Sequence, residues 1–111
     1  MRTRKISCFV IVCNEEDRIE RCLQSLSGWV DQLIVLDSGS KDNTVAIAQQ
    51  YADKVYQTDW PGFGPQRNRA LTWCEHDWVL NIDADEVMTD ALKAEIDAVL
   101  SEPDLQENLF K

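Results

Sequence analysis

An α/β fold, a Rossmann-like parallel sheet with helices on both faces, is what this sequence predicts, and three observations carry the prediction. Short apolar runs end abruptly in polar residues at Cys13-Asn14, Leu36-Asp37 and Ile82-Asp83. Between the runs lie stretches whose apolar residues recur every three to four positions, the helical period. Runs and periodic stretches alternate along the chain, as in right-handed β–α–β crossovers. Strands of a parallel sheet are buried on both faces, so they read as unbroken apolar runs. With 111 residues, 44% hydrophobic and 28% charged, the chain suits one globular domain over residues 1–111 with one core.

The elements follow in order. Ile6 to Cys13 is rich in β-branched and aromatic residues and lacks Gly and Pro, a first strand. Asn14 fits the N-cap of a first helix, with Glu15, Glu16 and Asp17 in its opening turn favouring the dipole. Ile19, Cys22, Leu23 and Leu26 give that helix one apolar face, and Gly28 ends it. Leu33 to Leu36 is a second strand ending at Asp37, followed by the turn Ser38-Gly39-Ser40-Lys41. Asp42 or Asn43 caps a second helix, with Val45, Ala46, Ala48 and Ala52 as candidate core contacts, and a short third strand lies near Lys54-Val55-Tyr56.

The loop Asp59-Trp60-Pro61-Gly62-Phe63-Gly64-Pro65 is dense in breakers and aromatics. Pro65 suits the first turn of a third helix, whose Ala70, Leu71, Trp73 and Cys74 meet the core or its rim. Arg67 and Arg69 near its start oppose the dipole, a broken local rule that an anion would repair, or that acidic neighbours would offset. Trp78 to Ile82 is the fourth strand. Thr89 or Asp90 caps a last helix with Leu92, Ile96, Val99 and Leu100 on one face, and residues 102–111 form a polar tail.

Charge and cysteines narrow the partners. The net charge of −9 argues against a nucleic-acid backbone and against broad attachment to an anionic membrane. An anionic ligand then needs a metal, a helix N-terminus or a single Arg. Cys8, Cys13, Cys22 and Cys74 form no C-x-x-C pair and read as buried free thiols of a reducing cytoplasm; His76 reads as a surface residue at a helix end. The basic Met1-Arg2-Thr3-Arg4-Lys5 before an apolar run mimics a signal peptide, but Asn14-Glu15-Glu16-Asp17 follows instead of a small-residue cleavage site. No run is long enough to span a bilayer.

In open α/β sheets ligands bind beyond the carboxyl ends of the strands, where strand order reverses. A strand order of 3-2-1-4 places Asn14, Asp37 and Asp83 along that rim. Asp83 and Asp85 crowd like charge, which a divalent cation offsets; Mg²⁺ or Mn²⁺ takes one or two carboxylates plus phosphate oxygens and water. A solvated acidic loop is the plainer reading of this spacing. No G-x-G-x-x-G follows the first strand and no P-loop lysine pattern is present, so the usual dinucleotide and P-loop sites are excluded.

Four blocks, Ile11-Val12-Cys13-Asn14-Glu15-Glu16, Val35-Leu36-Asp37-Ser38-Gly39-Ser40-Lys41-Asp42-Asn43-Thr44, Gly64-Pro65-Gln66-Arg67-Asn68 and Asp83-Ala84-Asp85, resemble in order the motifs of family 2 glycosyltransferases. With Trp60 and Phe63, the pattern is similar to the bacterial lipopolysaccharide-core β-1,4-glucosyltransferase group. The resemblance implies a GT-A fold and an inverting, metal-assisted transfer of a sugar, glucose in that group, from a nucleotide-sugar donor such as a UDP-sugar to a glycan or lipid-linked glycan acceptor. It implies that Asn14 and Glu15 line the nucleotide pocket, Asp37 meets the uracil–ribose end, and Arg67 faces the phosphates or base. Asp83 would lie by the ribose or sugar and Asp85 would bind Mg²⁺ or Mn²⁺, making these two the catalytic pair. The metal would neutralise charge on the departing nucleoside diphosphate. Where many members carry adjacent acidic residues, this chain has Asp37-Ser38.

The family's domain runs longer, so the general base and most of the acceptor site are expected after residue 111, leaving a donor-binding part with poor transfer of its own. The open side of the fourth strand is expected to pair with a second copy. The resemblance also implies a cytoplasmic location, peripheral at the inner face of the cell membrane. Two other readings stand beside it. One is a non-catalytic nucleotide-binding or interaction remnant. The other is a haloacid-dehalogenase-like phosphatase, because Leu80 to Val87 resembles that group's first motif, with Asp83 as nucleophile.

Overall fold

The computed structural model describes residues 3–102. Eight elements alternate along the chain: β1 (Ile6–Val12), α1 (Ile19–Leu26), β2 (Gln32–Asp37), α2 (Thr44–Tyr51), β3 (Lys54–Gln57), α3 (Phe63–Trp73), β4 (Trp78–Asn81) and α4 (Asp90–Val99). The sheet order is β3-β2-β1-β4, with every neighbouring pair parallel, as the sequence predicts. Order reverses between β1 and its neighbours β2 and β4. The ladder sets Val12 of β1 level with Asp37 of β2, so both chains leave the sheet at one rim.

Period-two alternation sorts the strand residues between two layers. Cys8, Val10, Val12, Leu33 and Val35 face a core shared with α1, with Ala48 of α2 and with Ile96 of α4. Phe9, Ile34 and Leu36 face the other way, onto Ala70 of α3. The apolar stripe of α1 is buried as the spacing requires: Ile19, Cys22, Leu23 and Leu26 are all sealed. Thr89 caps α4, its hydroxyl accepting from the Leu92 N–H at 3.2 Å. Asn43 occupies the N-cap position of α2, but Asp42 supplies the acceptor, taking the Thr44 N–H at 3.0 Å.

At the opposite end of the sheet, Gln32 joins the strands to the chain entering β4. Its carbonyl oxygen accepts from Ser7 Oγ at 2.6 Å and from the Glu75 N–H at 2.8 Å, while its amide donates to the Trp73 carbonyl at 3.1 Å. A buried polar side chain with its valences filled holds register without a desolvation penalty.

Several expectations are corrected. Asn14 does not cap α1, which begins at Ile19; its backbone lies in the left-handed region, φ 54°. Asn tolerates that region because its short side chain bonds locally or across a turn. Here it bonds across to the β2 loop. Cys13, one residue past β1, is exposed and Cys74 is half-buried, so only Cys8 and Cys22 are the sealed thiols expected. His76 is half-buried rather than on the surface. Leu71 and Leu92 are both 44% exposed, because α3 buries Gln66 and Ala70 instead and α4 packs through Ile96. Ala46 points outward from α2. The expected polar tail lies, past Glu102, outside the described residues.

Candidate functional site

The rim above β1 and β2 is built by two loops that complete each other's hydrogen bonds. The Asn14 N–H donates to Ser40 Oγ at 2.8 Å, and Asn14 Oδ1 accepts from the Lys41 N–H at 2.8 Å. The Glu15 N–H donates to Thr44 Oγ1 at 2.8 Å, and Glu16 Oε2 accepts from the Asn43 N–H at 3.1 Å. Asp42 closes the lacing, accepting from the Thr44 hydroxyl and the Glu16 N–H. The Thr44 hydroxyl bond is the chief reason its carboxyl sits below the usual range. That support is present above the ordinary carboxylate pKa and disappears as acid takes the pH down through the depressed value.

Asp37 does a related task underneath. It is 1% exposed, and its carboxylate accepts from the Gly39 N–H at 3.1 Å, the Ser40 N–H at 2.9 Å and the Ser40 hydroxyl. Gly39, at φ 105°, supplies the backbone shape that the turn needs. Gln66, fully buried on α3, ties the second side of the rim. Its amide donates to Ser38 Oγ at 2.9 Å and Thr58 Oγ1 at 2.7 Å, and its oxygen accepts from Arg69 at 2.9 Å. Arg69 also reaches Asp59 at 2.7 Å, the acidic neighbour that offsets its unfavourable place on the helix.

These loops enclose a cleft of about 390 Å³ lined by Ile11, Val12, Cys13, Glu15, Ser38, Trp60 and Phe63. Of the residues proposed from sequence, Glu15 lines it directly. Asn14 shapes its wall through the left-handed turn, and Asp37 holds the turn that carries Ser38. Arg67 is exposed one helical turn beyond Phe63, with no hydrogen-bond or ion-pair partner among the described residues.

Asp83 and Asp85 are not in this wall. They follow β4, the strand on the other side of β1, and both are exposed while Ala84 between them is buried. The Glu86 carboxylate accepts from the Asp83 N–H at 2.8 Å and so braces the loop. Their charge is felt beneath. The Cys22 thiol, donating to the Asp83 carbonyl at 3.5 Å, is pushed up to about 12, first by burial and then by Glu86, Asp85 and Asp83. Among the described residues no group of three or more His, Cys, Asp or Glu forms a self-sufficient metal cage. Two exposed carboxylates fit a hard divalent cation whose remaining ligands are phosphate oxygens and water.

Sequence reasoning gave no role in this site to Gln66 or Cys13, although both stand within the motif blocks. Gln66 had a signal, a polar residue four positions before Ala70 on the buried stripe of α3.

Comparison with known proteins now gives the class: residues 7–105 match the family model described as Glycosyl transferase family 2. The chain belongs to that family, and its parallel sheet with flanking helices has the GT-A fold. It is 44% identical over 99 residues to a glycosyltransferase of Rickettsia bellii, covering 89% of this chain and 34% of that one. It is 35% identical over 104 residues to the lipopolysaccharide core biosynthesis glycosyltransferase LpsC of Rhizobium meliloti, covering 89% and 38%. Among solved structures, Staphylococcus aureus TarS superposes with a TM-score of 0.72 at 29% identity, covering 86% of this chain and 32% of that one. Glucosyl-3-phosphoglycerate synthase of Mycobacterium tuberculosis, crystallised with Mn²⁺, UDP-glucose and phosphoglyceric acid, superposes at 0.66 with 35% identity, covering 74% and 33%. The chain thus spans about a third of the length of the curated relatives it matches. The family match does not favour the phosphatase reading.

Proposed function

We propose that this chain is the donor-binding part of an inverting, metal-assisted glycosyltransferase that takes a UDP-sugar, glucose being the favoured sugar, for transfer to a glycan or lipopolysaccharide-core acceptor. The observation that carries the reading is the arrangement at the rim: a walled cleft over β1 and β2, beside an exposed carboxylate pair after β4. The Mycobacterium tuberculosis relative with UDP-glucose and Mn²⁺ supports the choice of donor. On this reading Asp85 would hold Mg²⁺ or Mn²⁺, and Asp83 would meet the ribose or sugar. When bound, the cation neutralises charge on the departing diphosphate. Arg67 is free to reach the phosphates or base, and Asp37 acts by fixing the turn that presents Ser38. On this reading the general base for the acceptor hydroxyl would lie in the part of the relatives' length that this chain does not span. No helix among the described residues is long and apolar enough to cross a membrane, and a place at the inner face of the cell membrane completes the proposal.

Calorimetric titration with UDP, with and without Mn²⁺, tests it. Saturable binding that Mn²⁺ strengthens many-fold and EDTA returns to a weak metal-free value is expected; no heat at millimolar UDP in the presence of Mn²⁺ overturns it. Cys13 gives a second readout, because Cys8 and Cys22 are buried while Cys13 lines the cleft. Iodoacetamide should label Cys13 first, and UDP with Mn²⁺ should slow that labelling several-fold.

We also propose that a second copy pairs along β4, which is hydrogen-bonded to β1 alone among the described strands. An open edge offers unpaired backbone groups to another strand. Light-scattering mass is expected to rise from monomer towards dimer with concentration; a constant monomer mass at high concentration removes the idea.

A further inference from the structure

Trp60 and Phe63 are 54% and 48% exposed, yet both line the cleft. Large rings left in water beside a concave wall of Ile11 and Val12 are apolar surface awaiting a partner. Gly62 between them has φ 114°, a backbone state that side-chain-bearing residues rarely adopt, and this lets the chain turn into α3 with a ring on either side. We propose that Trp60 and Phe63 are the base-stacking wall of this cleft, the residues that hold the heterocycle of the donor nucleotide. The inference rests on the donor-site reading above and names side chains to which that reading gives no role.

Two observations favour the base over the phosphates or the sugar. Glu15 stands in the cleft; Arg18 Nε holds its Oε2 at 2.9 Å, and the other carboxylate oxygen, an acceptor only, suits the N–H edge of a neutral pyrimidine rather than phosphate oxygens. Ser38 offers a second polar group to that edge, while the apolar walls suit the two faces of a flat ring. Second, the exposed carboxylates that suit a metal-bridged diphosphate follow β4, so they lie on the far side of β1 from β2. Adjacent strands are about 4.8 Å apart, so a nucleotide with its diphosphate near β4 extends its base across β1 towards β2. The base then meets the cleft, and Trp60 and Phe63 meet the base.

Titration of UDP with Mn²⁺ into W60A, F63A and the ring-retaining W60F tests this. Each alanine variant should bind UDP about tenfold more weakly, W60F within about twofold of the parent, and pyrophosphate with Mn²⁺ should bind all of them alike. Both rings are half-exposed, so melting temperatures should stay close to the parent; a variant that unfolds is replaced by F63L or W60Q, with the same expectation. UDP affinities within twofold of the parent in the alanine variants overturn the inference and leave the donor site standing. So does a loss of affinity for UDP-glucose with none for UDP, which puts the rings on the sugar. Absence of UDP binding by the parent chain removes both readings.

Discussion

Replacing Asp85 with alanine is expected to erase the dependence of UDP binding on Mn²⁺ while leaving the fold intact. The side chain is exposed, and the buried member of its loop is Ala84, which the change does not touch. The loop itself is braced through Glu86 and the Asp83 N–H, not through the Asp85 side chain. Affinity for the metal is another matter. Groups that merely orient a ligand to a metal cost about 10–100-fold when removed, so a carboxylate that binds the cation itself should cost about a hundredfold or more. Sign separates this from a simple charge effect. The chain carries a net charge of −9, so deleting one carboxylate lessens its repulsion of an anionic nucleotide. Metal-free UDP binding should therefore hold steady or improve slightly in D85A, while binding with Mn²⁺ collapses to the metal-free value. Asp77, exposed just ahead of β4, provides the control. D77A makes the same change in charge at the other end of the strand and should keep the full metal response. A D85A variant with the parent's Mn²⁺ dependence would take the metal role away from Asp85.

The frame of this molecule is legible in its sequence because burial on both faces writes each strand as an unbroken apolar run, while the helices keep a 3.6-residue stripe. Val12 and Asp37 at one register level follow from those runs ending where they do. The carboxylate pair is legible too, since Asp83 and Asp85 are neighbours in the chain. What stays hidden is any residue whose partners are distant in sequence. Asn14 before three acidic residues has the local signature of a helix cap, and the competing bonds come from Ser40 and Lys41. They hold it in a left-handed turn, and α1 starts at Ile19 instead. Asp37 looks like a free strand-end carboxylate, yet Gly39 and Ser40 consume its oxygens. Local pattern fixes which residues reach the rim, and the pairing of loops across the rim fixes which of them remain available to a ligand.

Gln66 carries the largest such hidden role, and the expected outcome for Gln66→Leu follows from its three bonds. Leucine has nearly the same volume and is good at a helical position, so packing against α3 survives. The bonds to Ser38, Thr58 and Arg69 do not. None of the three partners is left stranded. The Thr58 hydroxyl still donates to the Asp59 carbonyl at 3.0 Å, Arg69 keeps Asp59, and Ser38 faces the open cleft, where water reaches it. The stability loss should then sit at about 1–2 kcal/mol, the scale of net hydrogen bonds and below that of orphaned buried groups. In a domain of this size that lowers the melting temperature by roughly 4–16 °C. The larger consequence is geometric. Among the described residues Gln66 is the one side chain bonded to the Ser38 turn, the Thr58 loop and Arg69 together, and those segments carry the wall of the cleft from Ser38 round to Trp60. With that clasp gone the wall is free to spread, and UDP affinity should fall about tenfold or more, beyond what one lost contact explains. Denaturant melts measure the first effect and calorimetry the second. A variant that loses stability but keeps the parent's UDP affinity would make Gln66 a core residue only, with the cleft shaped by the Asn14–Ser40 lacing alone.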